Sequence, residues 1–236
     1  MYKSFAKIYD KAMEGYDYPY VADFIKRHIK KGSEVLEMAC GSGSLTKLLE
    51  KEYELSSFDI SEEMLKIAEE KVKGFKNFSK QDMRSFSYDK SFDAIICLCD
   101  SINYILKEDQ LIEVFEGVKK HLKDGGLFIF DVNTIYNFEE NFSDEIFYED
   151  GDDYFYVWDN FYDSEKTLNY YSLIIFRKEE SGYEKSYEEH VERAYDIDSL
   201  KEILLKNSFK KIEIRDSYTD LPYKKDTERA VFICQK

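Results

Sequence analysis

The run Glu37-Met38-Ala39-Cys40-Gly41-Ser42-Gly43 gathers an acid, a small residue and two glycines into one short stretch. Glycine tolerates positive φ and lets a ligand approach the backbone closely. A helix starting beyond Gly43 turns free N–H groups toward an anionic group such as a carboxylate. Two further acids stand at informative places. Asp59 ends a strand-like run, where a carboxylate can accept hydrogen bonds from both hydroxyls of a ribose. Asp82 follows a third such run, where it can accept from the amino group of an adenine. Ile60, Met64 and Met83 flank these acids and could sandwich a purine ring. Each acid taken singly is as readily a cap or turn residue. One acid at each of three strand ends points instead to an adenosyl ligand.

Glu37 bears on the other end of that ligand. A pyrophosphate disfavours an acid in its loop, whereas a cationic amine is held by one, directly or through water. The dinucleotide fingerprint G-x-G-x-x-G also fails here, because Thr46 stands in the place of its third glycine. The expected cofactor is therefore S-adenosyl-L-methionine (SAM), with S-adenosyl-L-homocysteine as its product. A nicotinamide-dependent oxidoreductase is the weaker alternative.

These residues need strands that stop where they stand. Tyr20 to Lys31 has Val21, Phe24, Ile25 and Ile29 at helical spacing, after Pro19 and before Gly32. Glu34 to Met38 reads as a first strand, and Leu45 to Glu52 as a helix opened by Ser44. Glu54 to Asp59 is a second strand. Ser61 caps a helix with apolar Met64, Leu65, Ala68 and Val72. Asn77 to Lys80 and Phe92 to Leu98 are strands three and four. Leu111 to Leu122 is a helix closed by Asp124-Gly125-Gly126, and Leu127 to Phe130 is strand five. Asp198 opens a last helix to Leu205. Phe209 to Asp216 and Arg229 to Cys234 close the chain as strands. Strands alternating with helices imply right-handed crossovers and a mainly parallel sheet. Ligands of such sheets bind beyond the C-terminal strand ends.

Between strand five and the last helix the texture changes. Residues 136–195 hold 17 aromatic, 17 acidic and 5 Lys or Arg residues, a net charge of −12. Tyr154 to Trp158 and Leu168 to Arg177 read as strands of an antiparallel insertion. The chain therefore divides into a SAM-binding domain (residues 1–135 and 196–236), whose residues 1–31 form a helical lid, and the insertion (residues 136–195). The insertion is a candidate substrate lid or dimer contact, so the chain is expected to be a monomer or a homodimer.

The formal net charge is −15 over 236 residues. That disfavours sequence-independent nucleic-acid binding, which relies on Lys and Arg at phosphates. No stretch has the length of a membrane helix or a signal peptide, so the expected location is cytoplasmic. The four cysteines lack metal or redox spacing and read as buried free thiols. No metal is expected.

A family resemblance rests on four segments. They are Phe5-Ala6-Lys7-Ile8-Tyr9-Asp10, Leu36 to Gly43, Phe58 to Leu65, and Gln81-Asp82-Met83-Arg84. They resemble small-molecule class I SAM methyltransferases of bacteria, in particular the YqeM-like group. Asp100 to Tyr104, Phe130 to Asn133, Trp158-Asp159-Asn160, Glu189-His190 and Arg193-Ala194-Tyr195 carry the same likeness. Amino-sugar N-methyltransferases are similar more distantly. The resemblance implies a Rossmann-like α/β fold with a seven-stranded sheet in the order 3-2-1-4-5-7-6, its last strand antiparallel. It implies cofactor contacts at Gly41, Asp59, Asp82 and Leu98, with Tyr9 in the lid near the methionine end. One departure is Glu37, where the family often has aspartate.

Methyl transfer from a sulfonium is an in-line displacement that mainly needs donor and acceptor brought together. A base is optional for a neutral amine and essential for a poor nucleophile. The candidates to orient or deprotonate an acceptor are Tyr9, Asp100, Tyr104 and His190. Asn103, Tyr104, Trp158 and Arg193 are candidates to bind it. The cofactor set is Tyr9, Glu37, Ala39, Gly41, Gly43, Asp59, Ile60, Met64, Asp82, Met83 and Leu98. For His190 the plainer alternative is a salt-linked surface group beside acids, and for Arg193 it is a charge that simply neutralises neighbouring acids rather than one that holds an anionic acceptor group. For Tyr104 and Trp158 it is core packing. The expected function is transfer of a methyl group to N or O of a small molecule. A SAM-binding regulatory or scaffold protein without turnover is the alternative.

Overall fold

A computed structural model describes residues 4–236, so residues 1–3 of the expected N-terminal lid lie outside the described residues. The chain opens with a 3-10 turn at Phe5–Lys7, then α1 (Tyr9–Ala12) and α2 (Tyr18–His28). The sheet begins with β1 (Glu34–Met38), α3 (Ser44–Leu49), β2 (Glu54–Asp59), α4 (Glu62–Lys71), β3 (Phe78–Lys80) and β4 (Phe92–Cys97). A 3-10 turn at Ser101–Tyr104 leads to α5 (Glu108–His121), β5 (Leu122–Asn133) and the short α6 (Ile135–Asn137). Four strands follow: β6 (Ile146–Asp150), β7 (Tyr154–Asp163), β8 (Leu168–Glu179) and β9 (Gly182–Arg193). The chain closes with α7 (Ile197–Lys206), β10 (Lys210–Asp216) and β11 (Arg229–Gln235).

The seven-stranded sheet has the order β10-β11-β5-β4-β1-β2-β3. β1 to β5 are parallel, and β11 pairs antiparallel with both β5 and β10. This is the expected order once the insertion strands are set aside. Helices on both faces explain why β4 is apolar almost throughout. Successive side chains of β5 serve opposite faces. Phe128 and Phe130 pack with Phe115, Leu200 and Leu204. Ile129 packs with Phe24, Ile25 and Leu45 on the other side.

The insertion is a separate antiparallel sheet in the order β6-β7-β8-β9. Its inner face, with Tyr156, Tyr171 and Leu173, joins Phe5 and Ile8 of the N-terminal segment in one apolar cluster. β6 and β9 are additions to the two strands legible in the sequence.

Several boundaries differ from the sequence reading. The second helix runs Tyr18–His28 because the Asp17 carboxylate accepts from Tyr20 N at 2.9 Å. Gly43 (φ 75°), not Ser44, is the N-cap of α3, which ends at Leu49. Asp196, not Asp198, caps α7, accepting from Ser199 N at 2.8 Å. Asp124-Gly125-Gly126 does not simply stop a helix. Leu122 already pairs with Phe92, and the register jumps to Leu127 opposite Ala94, so the glycines form a bulge within β5.

Candidate active site

One cavity of about 270 Å³ lies at the C-terminal ends of the parallel strands, where the insertion and the N-terminal segment meet them. Glu37 enters it from β1 and is 3% exposed. Its Oε2 accepts hydrogen bonds from Thr46 Oγ1 at 2.6 Å and Ser57 Oγ at 2.8 Å. Burial pushes the carboxyl up to about 7, the two hydroxyl bonds partly offset that rise, and the nearby Asp59 adds to it. Thr46 therefore does more than fail to be glycine, because it steadies a buried acid.

Asp59, at the end of β2, lines the same cavity. Its Oδ2 accepts from Gly41 N at 2.9 Å and its Oδ1 from Ser61 N at 2.7 Å. Burial raises its pKa against these bonds. Asp59 thus ties the glycine loop to the start of α4, where the Ser61 hydroxyl accepts from Met64 N at 3.3 Å. Ile60, Met64 and Met83 supply an apolar wall beside it. Ala39, Cys99 and Asp100 have φ of 52°, 58° and 52° and all line the cavity. Left-handed non-glycine residues cost energy and gather where function over-determines the backbone.

The N-terminal segment closes one side. Tyr9 lines the cavity. The next residue, Asp10, accepts from Ser42 Oγ and from Lys71 Nζ, each at 2.6 Å. Phe5 N donates to Glu188 Oε1 at 2.9 Å, and Lys11 pairs with Asp153 at 2.5 Å. The segment thereby links the glycine loop to the insertion.

At the far side Asp100 follows β4 and pairs with Arg229 Nη1 at 2.9 Å. Arg229 also donates to Asp131 Oδ2. Burial pushes the Asp131 carboxyl up while Arg229 pulls it down. Leu98 and Tyr104 line the cavity here, and the Tyr104 hydroxyl meets that of Tyr171. Trp158 and Asn169 of the insertion also line it, and Trp158 Nε1 and Asn169 Oδ1 are buried without hydrogen-bond partners. Glu192 of β9 completes this end at 5% exposure. Burial holds its carboxyl well above the usual range, and Asp100 raises it further, while bonds from Tyr104 and Tyr171 and the charge of Arg229 oppose that shift.

Five residues singled out from sequence stand off the cavity. Gly43 packs against α4, where an added Cβ would lie 2.9 Å from Ala68 Cβ. The Asp82 carboxylate is taken by Arg84. Asn103 is a backbone clamp, its Nδ2 donating to Asn133 O at 3.0 Å and Arg193 O at 2.8 Å. Arg193 donates to Leu106 O and, at 3.1 Å, to Thr167 Oγ1, which turns its guanidinium away. His190 is buried behind the wall, stacked on Tyr171 at 5.0 Å and 3.3 Å from Glu188. Its expected alternative, a surface group, is also corrected, since it is 5% exposed. Conversely, Arg229, Glu192, Asn169 and Tyr171 line the cavity without having been singled out. Alternation along β8 is the signal that could have found Asn169 and Tyr171, and Glu192 follows only from its register opposite Asn169.

A parallel sheet with an antiparallel β11, an acid-bearing glycine loop and a carboxylate at the end of β2 are the features of a SAM-dependent methyltransferase. Residues 35–126 match the family model described as a methyltransferase domain. The methyltransferase-family protein YqeM of Bacillus subtilis (strain 168) is 31% identical over 240 residues, covering 100% of this chain and 97% of that one. The crystal structure of a SAM-dependent methyltransferase from Clostridium acetobutylicum is 33% identical with a TM-score of 0.87, covering 98% of this chain and 97% of its own. A dTDP-3-amino-3,4,6-trideoxy-alpha-D-glucopyranose N,N-dimethyltransferase of Streptomyces venezuelae is 26% identical over 136 residues, 57% of this chain and 54% of that one. The chain belongs to the YqeM-like family of SAM-dependent methyltransferases. Among the described residues, no helix is long and apolar enough to cross a membrane.

Proposed function

We propose that this protein methylates a nitrogen or oxygen of a small-molecule acceptor held between the strand ends and the insertion, which acts as a substrate lid. One observation carries the reading. A single cavity is lined both by Glu37, Gly41 and Asp59 at one end and by Tyr104, Trp158 and Glu192 at the other. An open chamber beyond the cofactor end, with Glu192 and Asn169 among its aromatic lining, supports turnover over a scaffold role, which a plugged chamber would have favoured.

The lining suits SAM. Glu37 would hold the cationic amine, Asp59 the ribose hydroxyls, and Ile60, Met64 and Met83 the adenine, with Tyr9 and Leu98 near the methionine end. A Cβ on Gly41 would meet nothing within 4 Å, so the space over the loop is open to a ligand. When bound, SAM supplies an electrophilic methyl group on a sulfonium. The chain's own residues enclose the chamber, keep water out and orient the acceptor, which is where most of the rate of an in-line transfer comes from.

Four carboxyl groups, Glu37, Asp59, Asp100 and Glu192, line the cavity with one arginine, Arg229. Carboxyl groups whose ionised forms are disfavoured by burial gain most from a cationic partner, which supports an amine-bearing acceptor. The dimethyltransferase name of the Streptomyces venezuelae relative supports the same class. Thermal shift with SAM, S-adenosylhomocysteine and NAD, followed by a screen of metabolite extracts with labelled SAM, tests the reading. No shift with the first two would overturn it. Asp59→Ala should lose most SAM affinity, whereas unchanged affinity would refute the ribose assignment.

A further inference from the structure

Glu192 and Asn169 are direct cross-strand partners on β9 and β8. Such partners on one face lie about 4.5–5.5 Å apart at Cβ. Both are buried and both line the acceptor end of the cavity. The direction of the Asn169 amide follows from its neighbours. Asn160 Nδ2 donates to Glu145 O at 3.2 Å, which leaves Asn160 Oδ1 as an acceptor. Asn169 Nδ2 fills it at 3.2 Å. Asn169 Oδ1 is then left without a partner, on the face of the sheet that it shares with Glu192. A buried acceptor left unpaired is costly unless a donor reaches it. An ammonium group has several N–H donors and a positive charge, and an alcohol has one donor and none.

The geometry points to Glu192, paired with Asn169, as the group that holds the acceptor's ammonium and takes its proton. This rests on the small-molecule reading above. In the step, an N–H bond breaks, an O–H bond forms on Glu192, and the nitrogen keeps its electron pair as the nucleophile. Ion pair becomes neutral pair, which a buried site favours, and no oxidant or reductant is needed. The proton passes to water when the product leaves. The groups facing Glu192 set its readiness. Asp100 and burial favour the protonated form, while Arg229 and the hydroxyls of Tyr104 and Tyr171 favour the carboxylate. His190, on the same strand, backs the Tyr171 ring, and Tyr104 meets His190 edge-on at 6.2 Å.

Carboxyl carbon-13 NMR on the protein with S-adenosylhomocysteine tests this. Methylammonium chloride is the probe, and tetramethylammonium chloride, which has no N–H, is the control. The Glu192 resonance is the one that disappears in Glu192→Gln. Methylammonium should shift it and tetramethylammonium should not, and Asn169→Leu should weaken the response about tenfold, the loss of one hydrogen bond to a cation. With an acceptor from the labelled-SAM screen, Glu192→Gln should lower kcat/KM by about 10²- to 10⁴-fold at neutral pH. Its acid limb should move up to the pKa of the amine itself. Tyr171→Phe removes a donor to the carboxylate and should move the wild-type limb upward. Equal responses to both cations would overturn the inference, as would Glu192→Gln with wild-type kcat/KM and pH profile. Failure of S-adenosylhomocysteine to bind would overturn the preceding reading instead.

Discussion

SAM should bind more weakly as pH falls below neutrality, with Glu37 as the cause. In the cofactor-free protein burial lifts its carboxyl from an ordinary 4.5 to about 7. A cationic amine placed against it favours the carboxylate, so binding expels the proton. Below the raised pKa each pH unit then weakens binding up to tenfold, about 1.4 kcal/mol. Between about pH 8 and about pH 6 the expected loss is roughly tenfold. The α-amino group of SAM also titrates, near about 7.7–8.0, and works in the opposite sense. Glu37→Gln removes the protein's part and keeps the ligand's, so the ratio of the two dissociation constants isolates Glu37. Calorimetry in two buffers of different ionisation enthalpy measures the proton directly. Wild type should release about half a proton more than Glu37→Gln near pH 7. A flat ratio across this range, or equal proton release, would refute the placement of Glu37 at the amine.

The same shift affects folding with a definite sign. A carboxyl whose folded pKa is raised binds more protons folded than unfolded between 4.5 and 7. Its favourable contribution is complete below 4.5 and is lost as pH rises through about 7. The full loss is about 3 kcal/mol. Urea unfolding of the cofactor-free protein should therefore show Glu37→Gln gaining on wild type from about pH 5 to about pH 8, by up to about 3 kcal/mol.

Arg229→Met should strongly destabilise the protein. It strips Asp100 and the fully buried Asp131 of their shared cation, a change worth about 3–5 kcal/mol, and chemical denaturation reads it. The two loop glycines should part company. Gly43→Ala places a Cβ 2.9 Å from Ala68 at φ +75° and should cost about 1–3 kcal/mol in a thermal melt. Gly41→Ala meets nothing within 4 Å, so it should melt within about 1–2 kcal/mol of wild type, the strain of its φ of +53°, and lose SAM affinity by calorimetry.

The parallel half of the fold was legible because its strands are buried on both faces and its turns carry glycines and acids at strand ends. Ile95 and Ile96 cannot be read as anything but interior. Most of the expected cofactor residues, though not Gly43 or Asp82, line the cavity at those strand ends, since a parallel sheet fixes where ligands sit. The insertion was harder. β9 reads Gly182-Tyr183-Glu184-Lys185-Ser186-Tyr187-Glu188-Glu189-His190-Val191-Glu192-Arg193, and acids on both faces mask its period. One of the 17 acids in residues 136–195 lines the chamber, and no local pattern marks which. Register does. Glu192 is opposite Asn169, and Asn169 alternates with Tyr171 and Leu173 on the inner face. His190 and Arg193 looked chemical by residue type, but one lies behind the tyrosine wall and the other turns to backbone carbonyls.

Thr46 shows how a departure from a motif can be additive. As a missing third glycine it argued only against a pyrophosphate. In the fold it is a buried donor on α3, aimed at the acid that makes a pyrophosphate unwelcome. A glycine there would remove one of the two hydroxyls that restrain the Glu37 carboxyl, and the acid's pKa would climb further above 7. Under the proposed placement of Glu37 at the SAM amine, position 46 bears on the ligand twice, through the acid it supports and through the ionised form it favours. The chamber repeats this logic at its other end, where Tyr104 and Tyr171 restrain Glu192 as Thr46 and Ser57 restrain Glu37. Two hydroxyl-braced acids at opposite ends of one cavity are the arrangement that the proposed transfer from SAM to an amine-bearing acceptor calls for.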